Sequence, residues 1–281
     1  MGVYTNRESL SNALLPFRKG KKIGFIPTMG ALHNGHLSLV KQALNENDCV
    51  VVSIFVNPTQ FDNKKDLEKY PRNLDADVKF LSQLEGTLFV FAPEASNLYN
   101  GPVISKKYTF GNIEHEMEGK HRKGHFDGVG TVVNLLFRAV MPDQAYFGEK
   151  DFQQLQIIRK LVAIEKLPIR IVNCPIVREP NGLAMSSRNK RLTEQQFNDA
   201  VLINKTLSEV KEKFSALSIP ALNKLVVERF LKNTSLKIEY FEIANERTLK
   251  TAKRKYKNSS YRAFIAVYAG EIRLIDNMAL S

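Results

Sequence analysis

Two features of the sequence predict an α/β chain: short β-branched runs alternate with amphipathic stretches over the first 176 residues, and the pattern changes after Pro175. The expected architecture is a Rossmann-like, doubly wound parallel-sheet domain over residues 1–176. A smaller α+β domain with an antiparallel sheet is expected to follow over residues 177–281 and to cover the site. The early strands are continuously apolar instead of alternating, which is the mark of strands buried on both faces. Helices between them make right-handed crossovers, so the ligand crevice belongs at the carboxyl ends of the strands.

In chain order, Lys22–Ile26 reads as a strand closed by Pro27, Gly35–Asn45 as a helix and Val50–Val56 as a buried strand. Asp75–Leu84 reads as a helix, Leu88–Phe91 as a strand and Gly128–Ala139 as a helix. Gln144–Phe147 is a short strand, Asp151–Ala163 a helix and Ile169–Asn173 a strand. In the last third Thr193 is placed to cap one long helix over Glu194–Phe214, and Pro220–Lys232 forms a second. Strands at Lys237–Ile243, Arg262–Ala269 and Ile272–Ile275 follow, the last two joined by a turn at Ala269-Gly270-Glu271. Strict alternation in the first of these puts Glu239, Phe241 and Ile243 on one face and Tyr240 and Glu242 on the other.

Composition narrows the function classes. An apolar fraction of 43% with 25% charged residues is that of a globular protein with a substantial core, not of a disordered chain. Apolar runs such as Cys49–Val52 and Ile54–Val56 are far too short to span a membrane. The start MGVYTNRESL has no apolar signal core, and Asn6 stands where a myristoylation signal wants Ser or Thr. A cytoplasmic protein without membrane attachment is expected. Cys49 and Cys174, both in apolar strands, read as buried thiols, with neither a disulfide framework nor a metal site implied. The formal charge of +12 is concentrated in residues 177–281, with 19 Lys/Arg against 11 Asp/Glu. Such a field favours polyanions. The densest run, Lys250–Lys257, is read as a solvated patch, with nucleic acid not expected as a partner.

Four segments carry chemistry. GFIPTMGALHNGHLSLV runs strand, loop, helix, with Gly30 allowing the turn. His33 and His36 are three apart at a helix entrance, where free N–H groups and the helix dipole favour phosphate. Imidazolium groups there would bond phosphoryl oxygens as charge builds, and Gly35 would let an adenine ring approach the backbone. A helix cap with a second histidine packed beside it is the plainer alternative. In FVNPTQF, Asn57 and Gln60 are neutral hydrogen-bonders among apolar residues, suited to a small polar organic acid, or simply a strand-to-loop turn. FGEKDFQQL offers Lys150 to neutralise a triphosphate and Asp151 to accept from ribose hydroxyls, with Gln154 one turn on; it is also an ordinary helix start. AMSSRN places Ser186, Ser187 and Arg188 on a loop able to close over departing pyrophosphate, or simply on a solvated loop.

Six blocks, PTMGALHNGH, SIFVNPTQF, YPRNLDAD, HFDGVGTVVNLL, DQAYFGEKDFQQL and GLAMSSRN, resemble those of the pantoate–β-alanine ligase family, in its order. The family belongs to the nucleotidylyltransferase group. The resemblance implies a ligation in which pantoate attacks the α-phosphorus of ATP to give a bound pantoyl adenylate and pyrophosphate. β-Alanine then displaces AMP. By the same resemblance Met29, Gly30, Ala31, Leu32, His33, Asn34, Gly35 and His36 line the ATP site, with His36 assisting the departing phosphate. Gly148, Glu149, Lys150 and Asp151 would hold ribose and phosphates, Val177 would lie near adenine, and Met185, Ser186, Ser187 and Arg188 would form the closing loop. Gln60 and Gln154 would hold pantoate, joined by Asn57 from the residue pattern, with Gln60 also near β-alanine. Mg²⁺ is expected to ride on the phosphates, with a direct metal role for Asp75 and Asp77 in doubt, and the family's homodimer is expected. The rival readings are a nucleotidylyltransferase that stops at an adenylated cofactor and a basic nucleic-acid-binding protein.

Overall fold

The computed structural model describes residues 1–62, 64–232 and 235–280. Six parallel strands make the first sheet: β1 (Gly2–Tyr4), β2 (Ile23–Thr28), β3 (Cys49–Ile54), β4 (Leu88–Phe91), β5 (Gln144–Gly148) and β6 (Arg170–Cys174). Their order is β1-β4-β3-β2-β5-β6. The helices between them are α1 (Arg7–Leu14), α2 (Asn34–Glu46), α3 (Lys64–Glu68), α4 (Leu74–Leu81), α5 (Ala95–Tyr99), α6 (Met117–His121), α7 (His125–Val140) and α8 (Phe152–Ile164). Val50, Val51 and Val52 of β3 are fully buried. Val51 faces the core under α1, α7 and α8, and its neighbours face the one under α2 and α4. That two-sided burial is why the strand reads as an unbroken apolar run. The strand order reverses between β2 and β5, and these two pair only at Gly24 and Phe25 before diverging. Pro27 lies within β2 because no β5 partner needs its missing N–H. The divergence opens the crevice.

The second sheet is antiparallel, β7 (Leu236–Asn245), β8 (Tyr261–Ala269) and β9 (Ile272–Ala279). It is preceded by α9 (Glu194–Asp199), α10 (Val201–Lys213) and α11 (Ile219–Leu231). It is buried on both sides. On β8, Ala263, Ile265 and Val267 pack with α10 and α11, while Phe264 and Ala266 join the core of the first sheet. The antiparallel sheet is thus fused to the parallel-sheet body through apolar contacts.

Several expectations change. β1 and α1 escaped the sequence reading because three strand residues and a two-turn helix leave too short a period. The single helix expected over Glu194–Phe214 is broken at the fully buried Ala200, which ends α9 and begins α10. Thr193 does cap α9, in a reciprocal pairing with Gln196. A register shift between Ile238 and Tyr240 turns Glu239 away from the face of Phe241 and Ile243, to pair with Arg273. Within the basic run, Lys255 Nζ bonds the carbonyls of Phe214 and Leu217, so it closes the carboxyl end of α10.

Candidate active site

The turn leaving β2 is built around a buried carboxylate. Gly30 and Ala31 both take left-handed backbone angles, φ +78° and +51°. Asp77 on α4 accepts from the N–H groups of Ala31 at 2.9 Å and Leu32 at 2.7 Å. A Cβ on Gly30 would stand 2.8 Å from the same carboxylate, so glycine is required there. Asp77 is therefore a brace for this turn, with its oxygens committed to backbone amides.

His33 is the residue before α2, and the two histidines cap the helix reciprocally. His33 Nδ1 accepts from Gly35 N–H at 3.1 Å, and His36 Nδ1 accepts from His33 N–H at 3.3 Å. The rings lie 4.0 Å apart, centre to centre. Burial, the neighbouring imidazole, and the ammonium groups of Lys150 and Lys190 hold His33 down to about 3. Burial and the same two lysines hold His36 down to about 4. Both rings are neutral at pH 7, in contrast to the imidazolium expected from the sequence. With Nδ1 engaged, the proton sits on Nε2, so each ring offers a neutral N–H donor at the helix start.

Beyond β3, Gln60 lines the cleft beside an apolar wall of Phe55, Val129, Val132, Val133 and Leu136. Asn57 does not. It is fully buried, and its amide is committed to Gln60, the Gly128 carbonyl, Thr59 and Tyr99, so it holds Gln60 in place. Gly128 lets α7 press on this turn: a Cβ there would lie 2.4 Å from the Thr59 carbonyl. The Gln60 carbonyl accepts from His125 at 2.8 Å and Arg122 at 3.4 Å.

After β5, Gly148, Lys150, Asp151 and, on α8, Gln154 face the same cleft, with Lys150 3.6 Å from Asp151. Glu149 turns away, accepting from Asn173 at 2.7 Å with Arg262 4.0 Å off. The opposite rim is the loop after β6, where Val177, Met185, Ser186, Ser187 and Arg188 line the cleft. The loop lies across the entrance to α2, because Ser187 Oγ donates to the Ala31 carbonyl at 3.1 Å. Of the residues assigned to ATP, Met29, His33, Gly35 and His36 line the cleft. Gly30, Ala31 and Leu32 shape it through backbone, and Asn34 is exposed outside it.

Sequence reasoning missed three neighbours. Asp66 on α3 accepts from Arg188 at 2.7 Å and from Arg191 at 3.0 Å. Tyr70 sits under Arg188, its ring centre 5.8 Å from the guanidinium. Lys190 adds positive field at both histidines. No short-range pattern ties these residues to their partners, which lie about 120 positions away in sequence for Asp66. Among the described residues no group of three or more His, Cys, Asp or Glu side chains could hold a metal ion, and no helix is long and apolar enough to cross a membrane.

The cleft combines cationic and N–H donors at a helix start with an adjacent neutral, apolar pocket bearing two glutamines. The family model described as pantoate-beta-alanine ligase matches residues 2–279. Curated relatives called pantothenate synthetase, from Flavobacterium psychrophilum and Christiangramia forsetii, are each 51% identical over 100% of both chains. The structure of pantothenate synthetase from Thermus thermophilus superposes with a TM-score of 0.91 at 36% identity, covering 100% of this chain and 99% of that one. Pantoate-beta-alanine ligase from Francisella tularensis, complexed with beta-gamma ATP and beta-alanine, gives a TM-score of 0.81 at 37% identity, over 100% of this chain and 98% of that one.

Proposed function

The chain belongs to the pantoate–β-alanine ligase family, and we propose how its cleft divides the work of condensing pantoate with β-alanine in an ATP-dependent reaction. In the first step a pantoate carboxylate oxygen bonds to the α-phosphorus, the bond from that phosphorus to the bridging oxygen breaks, and pyrophosphate leaves. In the second, the β-alanine nitrogen bonds to the acyl carbon and AMP leaves with the former carboxylate oxygen, while the amine gives up a proton. The family and the nucleotide- and β-alanine-bound Francisella relative support this reading. Charge accumulates on the departing pyrophosphate in the first step and on the AMP phosphate in the second, and donors matched to the pyrophosphate charge lower the first barrier.

His33, His36, Lys150 and Arg188 are the groups we assign to that charge, with Ser186 and Ser187 beside them. Asp151 is assigned to the ribose and Val177 to the adenine. Gln60 and Gln154 are assigned to pantoate, in a pocket whose apolar wall excludes water from the reactive acyl phosphate. Gln60 also borders the β-alanine position. Residues 1–176 bind nucleotide and pantoate, and residues 177–281 cover them. Mg²⁺ accompanies the substrate phosphates; Asp77 is committed to backbone amides and Asp66 to arginines. A cytoplasmic homodimer completes the proposal.

The observation that carries the assignment is the adjacency, in one cleft, of the His33–His36 donors and the Gln60–Gln154 pocket. Its test is AMP formation from ATP, Mg²⁺ and pantoate with and without β-alanine. Sustained AMP and pantothenate only with the amine are expected. Turnover that ignores the amine would point to the rival, an enzyme that stops at an adenylated product. Gln154→Ala is expected to raise KM for pantoate at least about tenfold, the loss of a hydrogen-bonding partner in the pocket, with KM for ATP little changed. An equal rise for both substrates would reject the pocket assignment.

A further inference from the structure

β9 reaches both phosphate-handling segments through two consecutive residues. Asn277 is 2% exposed, and its Nδ2 donates to the carbonyls of Glu149 and Lys150, each at 2.9 Å. Its Oδ1 accepts from Arg262 Nη1 at 2.7 Å, so the amide cannot flip without losing all three bonds. Arg262 is itself fixed, by Glu246 at 2.8 Å and by stacking 4.0 Å over the ring of Phe152, the first residue of α8. The neighbouring Asp276 carboxylate, 3% exposed, takes Arg178 in a two-pronged pair at 2.7 and 3.1 Å. Arg178 bridges Ala184 across the base of the loop that carries Ser186, Ser187 and Arg188.

The bonds to Asn277 decide what the Glu149–Lys150 turn shows to an anion. A trans peptide plane points its N–H opposite to its carbonyl, and none of the described peptide bonds is cis. Holding these two carbonyls against β9 therefore sends the N–H groups of Lys150 and Asp151 the other way. The turn then presents donors to a phosphate, with the Lys150 side chain among them.

We propose that Asn277 is a positioning residue for adenylation, acting through Lys150, while Asp276 fixes the closing loop to the same strand. This rests on the assignment of Lys150 to the triphosphate. Displacement of a catalytic group by about 1 Å costs on the order of a hundredfold. Asn277→Asp keeps the shape and replaces both donors with a carboxylate that repels the two carbonyls. It is expected to slow pantoate-dependent pyrophosphate release by about 10- to 100-fold. The reaction of β-alanine with preformed pantoyl adenylate, which no longer involves the departing pyrophosphate, should change less than about threefold. In a Lys150→Ala background the same substitution should add little, because the group it positions is gone.

Asn277→Ser, smaller and uncharged, serves if the aspartate variant does not fold. Equal slowing of both half-reactions, adenylation within twofold of the parent, full additivity with Lys150→Ala, or unfolding of both Asn277 variants would each overturn the proposal. If Lys150→Ala itself leaves adenylation unchanged, the failure lies in the assignment of Lys150. If only the Asn277 variants are silent, it lies in the positioning role.

Discussion

His36→Ala is expected to lower pantoate-dependent pyrophosphate release by about 10²- to 10³-fold, the usual cost of one preorganised donor to a developing charge. The fold should survive, since the substitution removes one helix-capping acceptor, worth about 1 kcal/mol. The reaction of preformed adenylate with β-alanine should be much less affected. Near-normal pyrophosphate release would remove His36 from the mechanism. The geometry also fixes the form in which the ring acts. Its Nδ1 accepts from His33 N–H, and its pKa is held near 4 by burial and by Lys150 and Lys190. A group depressed this far is already neutral throughout pH 6–8, so it contributes no titration to kcat/KM for ATP in that range. An imidazolium of ordinary pKa would instead make activity fall as pH rises through about 6.5. A fall of that kind, present in the parent and absent in the variant, would contradict the neutral-donor role.

Glu118→Ala is expected to destabilise the protein by about 3–5 kcal/mol, read from denaturant or thermal unfolding. The carboxylate, on α6, accepts from Arg273 Nη1 and Nη2 at 2.8 and 2.7 Å and from Tyr240 at 2.7 Å, with Arg122 at 3.4 Å. Removing it leaves Arg273 to Glu239 alone, takes this acceptor from Arg122 and Tyr240, and opens a buried vacancy beside two guanidinium groups. The same group gives a pH dependence of definite sign. Bonding to Arg273, aided by Arg122 and Tyr240, outweighs burial and lowers its pKa to about 2 from 4.5. A depressed acid contributes stability that is complete above about 4.5 and is lost as pH falls toward 2, amounting to about 3 kcal/mol. Glu118→Ala should therefore flatten the acid limb of the stability curve. An unchanged acid limb, or a loss under 1 kcal/mol, would show the pair to be balanced by its desolvation cost.

Glu118 also shows where the sequence stops being legible. Nothing in MEGKH marks its glutamate as the partner of an arginine 155 residues away. Asp77 is a similar case: two acids flanking an alanine read as an ordinary helix start, and only the folded chain brings one of them under the Met29–Leu32 turn. Asn57 and Glu149 fail for a third reason. Their residue types fit ligand binding, but the backbone points one into the core and the other at Asn173.

By itself the sequence determined the doubly wound sheet, the helix-start histidines, the two glutamines and the MSSRN loop. Those depend on local periodicity, turn residues and motif spacing, which are written in consecutive positions. The tertiary structure alone decided which side chains in those motifs face the cleft, that the histidines stand neutral with Nε2 outward, and that β9 braces the Lys150 turn. These follow from burial, from the divergence of β2 and β5, and from contacts between residues more than 100 positions apart, none of which a linear pattern encodes.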